Sequence, residues 1–292
     1  MQTFIHSKYL HISIDDVIEI LRELEQQKHK SVWDHPVFSF FKELNEQYGA
    51  VFSLYCFYFS YDGRWNLDQM PDHFKAEFEQ SSKWMRFGFH SYHHESKYGL
   101  SNKNLSAQEA FKHYSLITES ICRFAGTQAI DTVPRIHFYL GTREKIKVWR
   151  DAKNGIEGLL TADDDRNEVY YLDEIQRENL MRKGHLFDSV ESLYFIKTNL
   201  RLENESAPVE KLEARKNGYQ EQGHFQCIFT HEEKLNSRII KKRIEDCCEW
   251  ASLNGYEFLF PMDALPKCQK GELYASASRN PKIPGSSTNA GS

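Results

Sequence analysis

The stretch Tyr9-Leu10-His11-Ile12-Ser13-Ile14-Asp15-Asp16, followed by VIEILRELEQQ over 17–27, decides the fold. Residues 9–14 are mostly strand formers and end in two aspartates. From 17 onward the apolar period changes. Val17, Ile18, Ile20, Leu21 and Leu24 recur at helical spacing. A strand that feeds a helix is the unit of a parallel sheet, because parallel strands need a crossover between them.

The same alternation continues outward from this unit. Residues 37–48 read as a helix closed by Gly49, and 50–59 (AVFSLYCFYF) as an aromatic-rich strand. A helix is expected over 73–82 and a strand over 84–89. Ser106 and Glu109 form a capping box for a helix over 106–124. Strands are expected at 132–140, 158–161, 169–172, 190–195, 224–230 and 256–260, with helices at 142–151 and 235–253. The irregular stretch 162–222 reads as insertions over one face. The pattern predicts one α/β domain over 1–274, a parallel sheet either open or closed into a barrel. From about 275 the composition predicts a disordered tail.

Composition narrows the function. The 292 residues include 20 Phe, 15 Tyr and 5 Trp, too many rings for a disordered chain. A net charge of -5 and a pI near 6.2 argue against a general nucleic-acid binder. No apolar run is long enough for a transmembrane helix, and the N-terminus lacks the pattern of a signal peptide. Cys56, Cys122, Cys227, Cys247, Cys248 and Cys268 form no CxxC pair. They read as reduced thiols of a cytoplasmic protein. Oligomeric state is not legible.

In parallel α/β folds, polar residues at the carboxyl ends of strands form the active site. Four such ends carry chemistry. Asp15 and Asp16 can bind a metal and act as a base, or merely cap the following helix. In Phe89-His90-Ser91-Tyr92-His93-His94, His90 and His94 would share one helical face and grip one cation. A 90/93 pair and a run of surface histidines are the alternatives. Arg135 in PRIHFY can orient a carboxylate or form a structural ion pair. Asp163, Asp164 and Asp165 can tune a histidine or form a solvated loop. His231, at the end of the strand containing IFTH, can serve as a general acid or be structural.

Together these residues resemble the polysaccharide deacetylase family, also called NodB-homology or carbohydrate esterase 4-like. ISIDD matches its Asp-Asp motif, HSYHH its H-[ST]-x-x-H motif, and Phe229-Thr230-His231 its Leu-x-His motif, with Phe for Leu. The resemblance spans about 9–262. Two departures mark a divergent branch with a different substrate groove. The family usually has proline two residues after the motif arginine, where this sequence has His137. No Trp follows Asp163, Asp164 or Asp165.

The resemblance implies a distorted, incomplete (β/α) barrel with inserted segments. It implies a hydrolase that removes acetyl groups from an N- or O-acetylated sugar or glycoconjugate through metal-activated water. Asp16, His90 and His94 would be the ligands of a divalent metal, Zn foremost, with Ni, Co or Fe as alternatives. Asp15 would be the base and His231 the acid. Arg135 would hold Asp15, and Asp164 or a neighbour would keep His231 protonated. A backbone N–H near Phe138 or Tyr139 would help hold the oxyanion. Competing readings are a non-catalytic carbohydrate-binding protein on the same scaffold and a metal-dependent hydrolase of another C–N bond.

Overall fold

The computed structural model describes residues 8–99, 105–164, 166–216 and 225–264. The tail expected from 275, Asp165 and Cys268 lie outside the described residues. The strands are β1 (Lys8–Val17), β2 (Phe52–Phe57), β3 (Met85–Ser91), β4 (Gly158–Leu160), β5 (His185–Asp188), β6 (Leu193–Ile196), β7 (Leu200–Arg201), β8 (Phe225–His231) and β9 (Tyr256–Phe258). The helices are α1 (Glu19–Gln26), α2 (Pro36–Tyr48), α3 (Lys75–Ser81), α4 (Ala107–Phe124), α5 (Arg143–Arg150), α6 (Glu174–Lys183), α7 (Pro208–Lys216) and α8 (Arg238–Leu253).

The central sheet runs β3-β2-β1-β8-β7, with β9 paired to the start of β1, and every pairing is parallel. Parallel strands are covered on both faces, which explains why FSLYCF in β2 is buried at every position. Among the described residues no ladder closes this sheet into a complete barrel. A second sheet, β4-β6-β5, joins the expected strand β4 to two strands from the stretch read as insertions, with β5 antiparallel to β6.

Local chemistry sets the helix ends. Pro36 occupies the first turn of α2, the His35 side chain accepts from Val37 N, and Gly49 closes the helix at φ 75°. Ser106 and Glu109 form the expected capping box on α4. No local side chain caps α1. The buried Glu232 carboxylate does so from across the sheet, accepting from the N–H groups of Ile18, Glu19 and Ile20 at 2.9–3.2 Å. Glu232→Ala is expected to lower the unfolding free energy by about 2–4 kcal/mol, because one buried unpaired donor alone costs ~1–3 kcal/mol. Urea midpoints of this variant and of Glu232→Gln, which keeps an acceptor and should lose less, check the assignment.

Two expected strands are absent. Residues 169–172 form turns, and 132–140 run as irregular chain with a short 3-10 turn at His137–Tyr139. In the latter, β4 donates backbone N–H groups to Thr132 O and Pro134 O, and side chains meet other groups: Val133 O accepts from Tyr55 OH, Arg135 O from the His90 ring, and Ile136 N donates to Tyr170 OH. The segment after His90 also fails to form the helix on which the His90–His94 spacing argument rested. Residues 92–95 form a turn, with Tyr92 stacked on Tyr58 at 5.3 Å and on His113 at 4.0 Å. No helix of the described residues is long and apolar enough to cross a membrane. The five described cysteines are free thiols.

Candidate active site

Because the central strands are parallel, the carboxyl ends of β1, β3, β7 and β8 open on the same edge. In the β1–β8 ladder Asp15 lies opposite His231. Neighbouring side chains on a regular strand point to opposite faces, yet both aspartates serve this edge. The reason is a register shift between Ile14 and Val17, with Asp16 in the left-handed region at φ 63°. Such a conformation in a residue other than glycine is strained and is held by its surroundings.

Asp16 Oδ1 lies 2.9 Å from His90 Nε2 and 3.5 Å from His137 Nδ1, and the two ring nitrogens are 3.1 Å apart. The opposite nitrogen of each ring faces a carbonyl. His90 Nδ1 donates to Arg135 O, and His137 Nε2 donates to His94 O at 2.9 Å. In the tautomers these bonds favour, each ring turns its other nitrogen toward the group. Burial, reinforced by the neighbouring His90, pushes the His137 pKa down to about 3, so that ring is neutral. Asp16 Oδ1 is itself buried and has no hydrogen-bond donor.

One carboxylate oxygen and two ring nitrogens therefore converge on one point. Carbonyl-anchored imidazoles are the usual support of metal-bound histidines. Tetrahedral bonds of about 2.0–2.1 Å would separate neighbouring ligand atoms by about 3.3 Å, and the observed separations bracket that value. Asp16, His90 and His137 thus fit a divalent cation.

His94 is not in this group. Its carbonyl holds His137, while its ring packs on Tyr61 at 5.2 Å with Nδ1 buried and unpaired. The turn at 92–95 removes the helical geometry that would have brought it beside His90.

On one flank, Asp15 Oδ1 accepts from Arg135 NH1 at 2.7 Å. Arg135 is 1% exposed, also donates to Ser13 Oγ and Thr198 Oγ1 at 2.9 Å each, and lies 4.1 Å over the Phe229 ring. On the other flank, His231 Nδ1 makes a short hydrogen bond to Glu203 Oε1. Burial works against the charged ring, but Glu203, with Asp15 and Asp16 nearby, outweighs it and raises the His231 pKa.

The carboxylate partner of His231 is therefore Glu203, not Asp164. Asp164 is held by Arg166 at 2.6 and 2.7 Å, and Asp163 accepts from Tyr139 OH and Arg201. Glu203 follows β7, the neighbour of β8, but β7 is only two residues long and carries no sequence period. His137 stood out only as a departure from proline. Tyr61, whose hydroxyl donates to Asp16 Oδ2 at 3.2 Å, had no signal. The Tyr139 N–H donates to Ile136 O, which leaves the Phe138 N–H as the oxyanion candidate. Most aromatic rings are core, but Tyr61 and Phe138 are exposed beside the site.

A strained carboxylate and two anchored histidines thus gather at the carboxyl edge of a parallel sheet, flanked by an Asp–Arg and a His–Glu pair. Known structures then specify the fold. The chain is similar to a protein from Mycobacterium smegmatis assigned provisionally as a polysaccharide deacetylase. That match has 10% identity and a TM-score of 0.54, and covers 98% of this chain and 97% of that one. It is also similar to a family 4 acetyl xylan esterase from Clostridium thermocellum, in complex with a cobalt ion. Here identity is 12%, coverage 90% and 92%, and TM-score 0.49. A peptidoglycan deacetylase from Bacillus subtilis matches at 10% identity, 94% and 98% coverage and TM-score 0.48. The fold is shared with the Mycobacterium smegmatis protein. No protein-family model matches the sequence, and neither does any curated protein.

Proposed function

We propose that this chain is a metal-dependent deacetylase that hydrolyses the acetyl group of an N- or O-acetylated sugar or glycoconjugate. The observation that carries the reading is the convergence of Asp16 Oδ1, His90 Nε2 and His137 Nδ1 between a buried Asp–Arg pair and a His–Glu pair. A bound divalent cation, with Zn foremost and Ni, Co or Fe as alternatives, would supply Lewis acidity, making water a better nucleophile and the acyl carbon a better electrophile.

The chain's own residues do the rest. Asp15 takes the proton of the attacking water, and Arg135 fixes its carboxylate at the correct angle. The Phe138 N–H offers a donor to the developing oxyanion. His231, held through Nδ1 by Glu203, presents Nε2 to protonate the departing amine or alkoxide. Exposed Tyr61 and Phe138 give a sugar ring two apolar faces to rest on.

Glu203→Gln tests the acid. Removing the carboxylate lowers the His231 pKa, and a general acid works only while protonated. The alkaline limb of kcat/KM is therefore expected to move to lower pH; an unmoved limb would rule out this pairing. The function itself is tested by loading the protein with Zn²⁺ or Co²⁺ and measuring acetate release from a panel of N- and O-acetylated sugars. Acetate supports the reading. Sugar binding without acetate would favour a non-catalytic carbohydrate-binding protein, and ring opening of cyclic amides or ammonia release from amidines would favour a hydrolase of another C–N bond.

A further inference from the structure

We propose that His137, and not His94, is the third protein ligand of the metal, so that this chain builds its metal site from Asp16, His90 and the segment after Arg135. The inference rests on the metal-dependent reading above and specifies its centre. Its evidence lies in three places. His137 Nδ1 is 3.1 Å from His90 Nε2 and 3.5 Å from the donorless Asp16 Oδ1. The His137 ring is fixed in the tautomer a ligand needs by the His94 carbonyl at 2.9 Å. The His94 ring is turned onto Tyr61, outside the group of converging ligand atoms.

The backbone explains how a residue so distant in sequence reaches the cation. Residues 134–140 do not extend as a strand. Phe138 and Tyr139 both adopt positive φ, at 59° and 60°, which folds the segment tightly beneath β3 and carries His137 toward Asp16. The Phe57 ring packs on both His90, at 5.2 Å, and His137, at 5.1 Å, and holds the two imidazoles as a pair. A proline at 137 would offer no ligand atom, so the departure from the motif and the altered role of His94 are one change. His94 keeps a structural role, in which its main chain orients the ligand that replaces its side chain.

Cobalt titration of metal-free protein, followed by visible absorption, tests this without any turnover. Wild type is expected to bind one Co²⁺, and His90→Ala to lose it. His137→Ala should weaken binding by at least ~10²-fold, beyond the usual loss for a supporting residue, whereas His94→Ala should stay within a few-fold of wild type. A positive readout guards against misfolding. His137→Cys should add a sulfur-to-cobalt charge-transfer band in the near ultraviolet, and His94→Cys should not. Strong binding by His137→Ala with loss in His94→Ala, or a sulfur band only from His94→Cys, would overturn the assignment while leaving a metal enzyme in place. Absence of cobalt binding in wild type, or binding untouched by His90→Ala, would overturn both the assignment and the metal-dependent reading.

Discussion

Asp15→Asn lowers kcat/KM for acetate release by about 10²–10⁴-fold, the usual loss for a general base, while cobalt binding and the fold persist. The two aspartates are adjacent but occupy different environments. Asp16 faces the imidazoles, whereas Asp15 is 2% exposed and bonded to Arg135 at 2.7 Å. Asparagine retains an oxygen for Arg135 and so preserves the contact, but it cannot accept the proton of the attacking water. The discriminating measurement pairs cobalt affinity with kcat/KM on the same preparation. Undiminished turnover would remove Asp15 from the chemistry, and lost cobalt binding would make it a ligand.

Arg135→Met has the largest expected effect on stability, a loss of about 3–5 kcal/mol, because it strands the Asp15 charge in the interior. The guanidinium joins three segments: it reaches Asp15 and Ser13 in β1 and Thr198 before β7, while its own carbonyl anchors the His90 ring. Lysine is a poor substitute, since one ammonium cannot reproduce the planar fork. The double variant Asp15→Asn/Arg135→Met should recover part of the loss, because no unpaired charge remains. Urea unfolding of both singles and the double decides it. A single-variant loss below about 1 kcal/mol, within the range of exposed pairs, would show that the pair does not hold the site.

The frame of the molecule was legible where local signals agreed. YLHISI followed by an apolar helical stripe marked β1 and α1, SAQE marked the start of α4, and Gly49 marked the end of α2. Asp15, Asp16, His90 and His231 were legible as neighbours because strand ends in a parallel sheet converge, whereas Arg135 reaches them from irregular chain. What escaped depended on contacts between distant segments. Residues 132–140 have strand-like composition, but β4 bonds only their first carbonyls, at Thr132 and Pro134, and the groups around them are met by the side chains of Tyr55, His90 and Tyr170. Spacing alone placed His94 on a helix, where the chain makes a turn over 92–95. Glu203 follows a strand too short to show a period, so Asp163, Asp164 and Asp165 were the carboxylates in view.

The capping of α1 by Glu232 has a consequence for how the polypeptide matures. The two ends of that contact are 214 residues apart in sequence, and β1, the strand bearing Asp15 and Asp16, pairs with β8 along most of its length. On a ribosome, β1 emerges long before its central partner exists. Until β8 arrives it exposes an unpaired edge rich in apolar residues, a species prone to aggregation. Assembly of the central sheet must await this closure of a long loop, and such non-local pairing is slow. Asp15 and His231, opposite one another in that ladder, are brought together in that same late event, so the candidate site is complete only once the sheet is complete.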